Sequence, residues 1–120
     1  MSDPADWGVR EAGGALEAGK VSSLALTTTC LDRIGGPRGR ALNAFIHVAA
    51  DHALAAAAAS DRRRTAGQPL SRLDGVPIAI KDHRDVVGMP TTNGFGTGWM
   101  PVRNAPVVQR LLNCKSLDLI

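Results

Sequence analysis

The sequence predicts an α/β chain, and three observations carry that prediction. Apolar residues recur at helical spacing on both sides of Gly19, as in a helical hairpin. From Leu42 to Val48, and again from Val76 to Ile80, the apolar period changes to two, which is the pattern of short strands. Between those stretches, 51–64 is Ala-rich and reads as a helix. Three or four helices and two strands are thus expected in 120 residues, a length that suits one domain and not two.

In chain order, Asp3 followed by Pro4 predicts an N-cap and first helical residue, with Val9, Ala12 and Leu16 on one face until Gly19 stops the helix. Gly13 and Gly14 weaken it. Ser22 is placed to cap a second helix lined by Leu24, Leu31 and Ile34, with Leu26 and Cys30 beside them, and Gly35-Gly36-Pro37 ends it. In the first strand Leu42, Ala44, Ile46 and Val48 alternate with Asn43, Phe45 and His47. The Ala-rich helix starts at an acid, Asp51, and closes on Arg62, Arg63 and Arg64, whose charges suit the negative end of the helix dipole. After a polar loop, 65–74, the second strand alternates Val76, Ile78 and Ile80 with Pro77, Ala79 and Lys81. Gly88, Pro90, Gly94, Gly96, Gly98 and Pro101 leave 88–103 little regular structure, and a loop of that length suggests a function or a fold that needs completing. Asn104 is the expected cap of a last helix, with Pro106 in its first turn.

Composition narrows the function. Apolar residues make up 44% of the chain, but 18 of them are Ala, and with only four aromatic residues marginal stability is expected. The net charge of +3 is small, its one basic run is 62–64, and aromatic residues are scarce, so no nucleic-acid surface is expected. Met1 to Trp7 has no apolar stretch and no segment reaches the length of a membrane span, which predicts a soluble, cytoplasmic chain with no membrane partner. Cys30 and Cys114 lack CxxC spacing and are expected to be reduced thiols. His47 and His52 come with no metal-binding motif, so no metal site is expected. Gly94, Gly96 and Gly98 form GxGxG and not the dinucleotide fingerprint, and no cofactor is expected either.

Lys81 is the residue with a chemical question attached. The chain uses Arg for 11 of its 14 basic residues, yet places a Lys at the end of an apolar strand. Lys differs from Arg in being able to lose its proton: burial can bring its pKa from about 10.4 towards 7–8, where the neutral amine acts as a base. The plainer alternative is a Lys whose stem packs along the strand while its head reaches water or pairs with Asp82 or Asp85.

The wider string is more specific. Leu73-Asp74-Gly75-Val76-Pro77-Ile78-Ala79-Ile80-Lys81-Asp82 resembles the segment of the amidase signature family that contains its catalytic lysine. Asp85-Val86-Val87-Gly88-Met89-Pro90-Thr91-Thr92-Asn93-Gly94 resembles the loop that follows, and Ala105-Pro106-Val107-Val108-Gln109-Arg110-Leu111 the next helix. Upstream, 19–23, 31–34 and 42–46 are similar to the helices and first strand of that family, so the likeness runs in register over roughly 8–112.

The resemblance implies the amidase-signature α/β fold, in which a helical hairpin leads into the first strands and helices of a mixed central sheet. It implies hydrolysis of a small-molecule carboxamide by a Ser/cis-Ser/Lys triad, with Lys81 as the base, Asp82 as a candidate orienter, and Thr91, Thr92 and Asn93 bordering the substrate. For those three loop residues, satisfying the loop's own backbone is an equal alternative. The two serines belong to a Gly/Ser-rich stretch with no counterpart here; Ser2, Ser22, Ser23, Ser60, Ser71 and Ser116 all lie in other settings. This chain alone is therefore expected to be inactive. His83-Arg84 departs from the family pattern and puts a cation three residues from the base. Residues 1–113 are expected to be the N-terminal part of an amidase domain, and 114–120 a divergent tail left by truncation or a frameshift. Two rivals follow: the glutaminase subunit of a tRNA-dependent amidotransferase, or a non-catalytic remnant that self-associates through unpaired strand edges around Val76–Ile80.

Overall fold

The computed structural model describes residues 2–96 and 98–114, with only the backbone of Cys114, so the tail expected over 114–120 otherwise lies outside the described residues. Among the described residues, five helices follow a short 3-10 turn, Pro4–Asp6. They are α1 (Val9–Glu17), α2 (Ser23–Gly35), α3 (Pro37–Leu42), α4 (Ala50–Thr65) and α5 (Pro106–Cys114).

Asp3 does accept the Ala5 N–H, but it caps the 3-10 turn; α1 begins separately at Val9, behind Gly8. The cause is the chain's extended backbone at Trp7 and Gly8, which breaks the helix the sequence pattern ran together. Gly19 ends α1 as expected: its φ of +66° lets the Lys20 N–H turn back to the Ala15 carbonyl at 2.9 Å. Ser22 caps α2 by accepting the Ala25 N–H at 3.0 Å. The same helix end has a second cap, since Asp61 of α4 accepts the N–H groups of Ser23 and Leu24 at 2.7 and 3.0 Å. Two orphan donors and the positive end of the helix dipole are thereby answered from across the fold.

Gly36-Pro37 closes α2 but also opens α3, because proline at the first helical position loses nothing by lacking an N–H. This helix occupies the start of the expected strand 42–48, and Asn43 leaves it in the left-handed region at φ 48°. Neither expected strand forms among the described residues. Residues 76–80 run without helix or turn, Ile78 holding an isolated bridge position, and Thr91 pairs with Trp99 in another single bridge. Alternation sets which side chains point inward, whereas a strand also requires a neighbouring backbone to complete its ladder.

The small side chains of α4 allow it to lie close on α2: Ala53, Ala57 and Ser60 share its buried face, and Ser23, Leu26 and Thr27 are buried on the other side. A first apolar cluster joins Ala12, Leu16, Leu26 and Val76, covered by Trp7 and Val21. A second is centred on Val86 and Val108, with Ile78, Ile80, Met89 and Leu111 packed around it. The segment 76–80 thus spans both clusters. Its burial is partial: Val76 is buried, Ile78 and Ile80 are half-buried and Ala79 is exposed, while Leu42, Ile46, Phe95 and Val102 are among the apolar side chains left bare.

The last basic residues of α4 do more than face the helix dipole. Arg63 grips the fully buried Asp74 through two hydrogen bonds, Nε to Oδ2 at 2.8 Å and Nη2 to Oδ1 at 2.7 Å. Arg64 Nη2 donates to the Asp74 carbonyl at 2.6 Å, and Leu70 N–H completes the set on Oδ2 at 3.0 Å. The loop before the 76–80 segment is therefore pinned to the end of α4. Gly75 follows at φ +90°, its carbonyl accepting the buried Ser23 hydroxyl at 2.7 Å.

Candidate functional site

Pinned at Asp74 and Gly75, the 76–80 segment delivers Lys81 to an exposed position on a cleft of about 650 Å³. The cleft is bounded by 44–47 on one side and by 79–83 with Asn93 and Gly94 on the other. A smaller cavity of about 50 Å³ opens beside it, and there Lys81 shares the lining with His47, Arg84 and Met89. Among the described residues Lys81 makes no ion pair within 4 Å, so of the plainer alternative the pairing with Asp82 or Asp85 does not form, while the exposed side chain is open to water as that alternative expects. Both carboxylates are directed to threonines of the next loop.

Asp82 accepts the Thr92 N–H on Oδ1 at 2.8 Å and the Thr92 hydroxyl on Oδ2. Its carbonyl accepts the Asn93 N–H at 2.9 Å. The Thr92 hydroxyl and N–H together hold the Asp82 carboxyl below the usual carboxylate range. Asp85 accepts the Thr91 hydroxyl at 2.9 Å, and its carbonyl takes the Ala105 N–H at 2.8 Å just before α5. Asn104, expected as the helix cap, instead accepts the Val87 N–H on its side-chain oxygen at 2.8 Å, because α5 begins two residues later at Pro106.

The loop 91–99 is closed by reciprocal backbone bonds between Thr91 and Trp99, at 2.9 and 3.1 Å. Of the residues expected to border a substrate, Asn93 lines the cleft, with the backbone at φ 53°. Thr92 is turned onto Asp82, and Thr91 is buried, its hydroxyl on Asp85. Asp82 lines the cleft, but the bonds of its carboxylate run to the loop. His47 faces the same cleft as Lys81, a proximity made by the return of the chain through α4 that no local spacing announces.

None of the described serines lines either cavity at Lys81. Ser2 accepts the Trp7 indole N–H, Ser22 caps α2, and Ser71 accepts the Leu73 N–H. Ser23 and Ser60 are fully buried beside Gly75, and Ser116 lies outside the described residues. What the arrangement offers is an amine at an open cleft, braced by a hydrogen-bonded loop and lacking a hydroxyl nucleophile among the described residues. No described helix is long and apolar enough to cross a membrane.

The Amidase family model matches residues 25–114. The A subunit of the glutamyl-tRNA(Gln) amidotransferase from Chloroflexus aggregans is 47% identical over 100 residues, which cover 82% of this chain and 20% of that protein. The protein of the same name from Anaeromyxobacter sp. (strain K) is 44% identical over 117 residues, covering 92% of this chain and 24% of its own length. Among solved structures, a crystal structure of an amidase superposes with a TM-score of 0.84 at 30% identity, covering 95% of this chain and 26% of that one. The native peptide amidase of Stenotrophomonas maltophilia gives 0.81 at 30% identity, over 97% and 24%. The chain thus spans about a quarter or less of the length of the relatives it matches.

Proposed function

The chain belongs to the amidase signature family, and on that premise we propose that residues 1–113 are the N-terminal part of the glutaminase subunit of a tRNA-dependent amidotransferase, with Lys81 as its general base. One observation carries the choice of subunit: identity is 44–47% with the two amidotransferase A subunits compared above and 30% with the two solved amidases compared above, over similar shares of this chain. The position of Lys81 on an open cleft supports its role.

The chemistry asked of Lys81 is proton transfer. A serine oxygen attacks the carboxamide carbon of glutamine while its proton passes to a second serine, whose own proton goes to the Lys81 amine. Return of a proton to the nitrogen lets the C–N bond break and ammonia leave, and water then releases the acyl group as glutamate. Both serines come from parts of the protein beyond this segment. Asp82, Thr92 and Asn93 serve by fixing the loop that forms one wall of the cleft. A second reading, a general carboxamide amidase, is supported by the superposition on solved amidases.

The test is ammonia release from glutamine and from benzamide by the full-length gene product. Lys81→Ala is expected to lower turnover about a thousandfold, within the range of general-base contributions. Lys81→Arg is expected to fail equally, because a guanidinium keeps its proton. Undiminished activity in Lys81→Ala would remove Lys81 from the mechanism. Benzamide hydrolysis without glutamine hydrolysis would favour the general amidase.

A further inference from the structure

We infer that the Arg63–Asp74 ion pair, together with the Ser23–Gly75 hydrogen bond, positions Lys81, although neither touches the cleft that Lys81 lines. The inference rests on Lys81 being the general base proposed for this site. Asp74 lies seven residues before Lys81, a reach of at most about 25 Å for extended chain, and no helix or turn interrupts the path from Val76 to Lys81. A stretch of that kind transmits the placement of its anchored end. Downstream the anchor is Asp82, held to Thr92. Upstream it is Asp74, fully buried and gripped by the two-pronged Arg63 guanidinium.

Asp74 is fully buried and Arg63 partly exposed, and burying a charge is a poor way to gain stability, since its desolvation cost offsets the attraction and apolar groups of the same volume do as well or better. What a bidentate arginine–carboxylate pair adds is direction, because its planar fork fixes two oxygens at once. The contacts around it share that property. Arg64 fixes the Asp74 carbonyl and Ser23 the Gly75 carbonyl, so consecutive peptide groups are oriented before the segment starts. Gly75 is wedged between Ser23 and Ser60 with no room for a β-carbon, which leaves the segment little freedom to slide. Arg63 and Asp74 are positioning residues in this scheme, acting through the backbone of 75–80.

The test separates positioning from folding in the full-length gene product. Asp74→Asn keeps the shape and removes the charge; Arg63→Met with Asp74→Leu replaces the pair by apolar groups, gives up the Leu70 N–H bond to Asp74 as well, and is expected to lower the melting temperature only slightly. Both variants are expected to lose about 10- to 100-fold in kcat per titrated active site with KM little changed, the scale of an ångström-sized misplacement. Arg63→Lys is expected not to restore it, lacking the fork. Recovery of both melting temperature and turnover in the double variant would overturn the inference, leaving the pair a folding contact only. An independent readout is the ¹³C signal of Lys81 after reductive methylation, assigned by its loss in Lys81→Arg. A shifted Lys81 signal in the double variant is expected, and an unmoved one would count against positioning. That readout still decides if Lys81→Ala turns out to be active, an outcome that would overturn the proposed function and not the placement of the side chain.

Discussion

Asp82 holds Thr92 through both carboxylate oxygens, one on the Thr92 N–H at 2.8 Å and the other on its hydroxyl. The pair ties the end of the lysine segment to the loop 91–99. These donors favour the charged carboxylate and hold Asp82 below its ordinary value, so the tie is complete above the unfolded-state pKa near 4 and is lost as pH falls through the lower folded-state value. Trp99, bonded to Thr91 across that loop, reports on it. In a Trp7→Phe background, Trp99 fluorescence is expected to stay flat from pH 7 to about 5 and to change below about pH 4. Thr92→Val removes the hydroxyl and is expected to move that change upward. Identical acid profiles for the two proteins would show that the Thr92 hydroxyl contributes nothing to the tie.

Two glycines with positive φ make opposite predictions about size. A β-carbon on Gly19 would meet nothing within 4 Å, so Gly19→Ala bears only the left-handed backbone cost, about 1 kcal/mol. On Gly75 it would lie 2.7 Å from the Ser23 hydroxyl oxygen and 2.8 Å from Ser23 Cβ, and it would also collide with the Ser60 hydroxyl. Gly75→Ala combines backbone strain with overpacking and is expected to cost about 2–4 kcal/mol. Urea melts of the two variants compare them directly, and equal midpoints would mean that the Gly75 site relaxes.

What was legible in the sequence was local. Ser22 as a cap and Gly19 as a stop depend on backbone groups within five residues, and both were readable from residue type. The inward set Val76, Ile78 and Ile80 was readable from alternation, but the strand was not, because a ladder is made by a second segment. Gly35-Gly36-Pro37 read as an ending also begins α3, since proline suits the first turn of a helix as well as the end of one. Lys81 stood out through residue type and the string around it. Its neighbours did not: His47 reaches the cleft from across α4, and Asp74 meets Arg63 only because the loop 66–73 folds back on the helix end. Such pairings depend on tertiary return of the chain, and a single sequence carries no period or spacing for them.

Arg33 bridges Asp3 and Asp6 at 2.6 and 2.5 Å and so ties the 3-10 turn to α2. All three side chains are substantially exposed, where solvent and salt screen the attraction and ordering long side chains offsets it. Arg33→Ala is expected to lower the melting temperature slightly at low ionic strength and not measurably in about 0.5 M NaCl, where the screening length is only a few ångströms. A large loss that persists in salt would mean that Arg33 works through the packing of its stem on α2.

Val108 on α5 is fully buried against Val86, with Ile78 and Ile80 at the edge of the same cluster. With Leu111, it packs α5 against the cluster that includes Ile78 and Ile80, next to Lys81. Val108→Ala removes two buried methyl groups and is expected to cost about 1.5–3 kcal/mol, a transfer term with a cavity term added to it. Enlarging the side chain with Val108→Ile is expected to cost about 1–3 kcal/mol by overpacking. Because Ile80 immediately precedes Lys81, both variants should also raise amide hydrogen exchange at 78–81 above that of the parent, while exchange in α1 stays unchanged, since α1 belongs to the other cluster. A uniform rise across both clusters would mean that the two cores open as one cooperative unit.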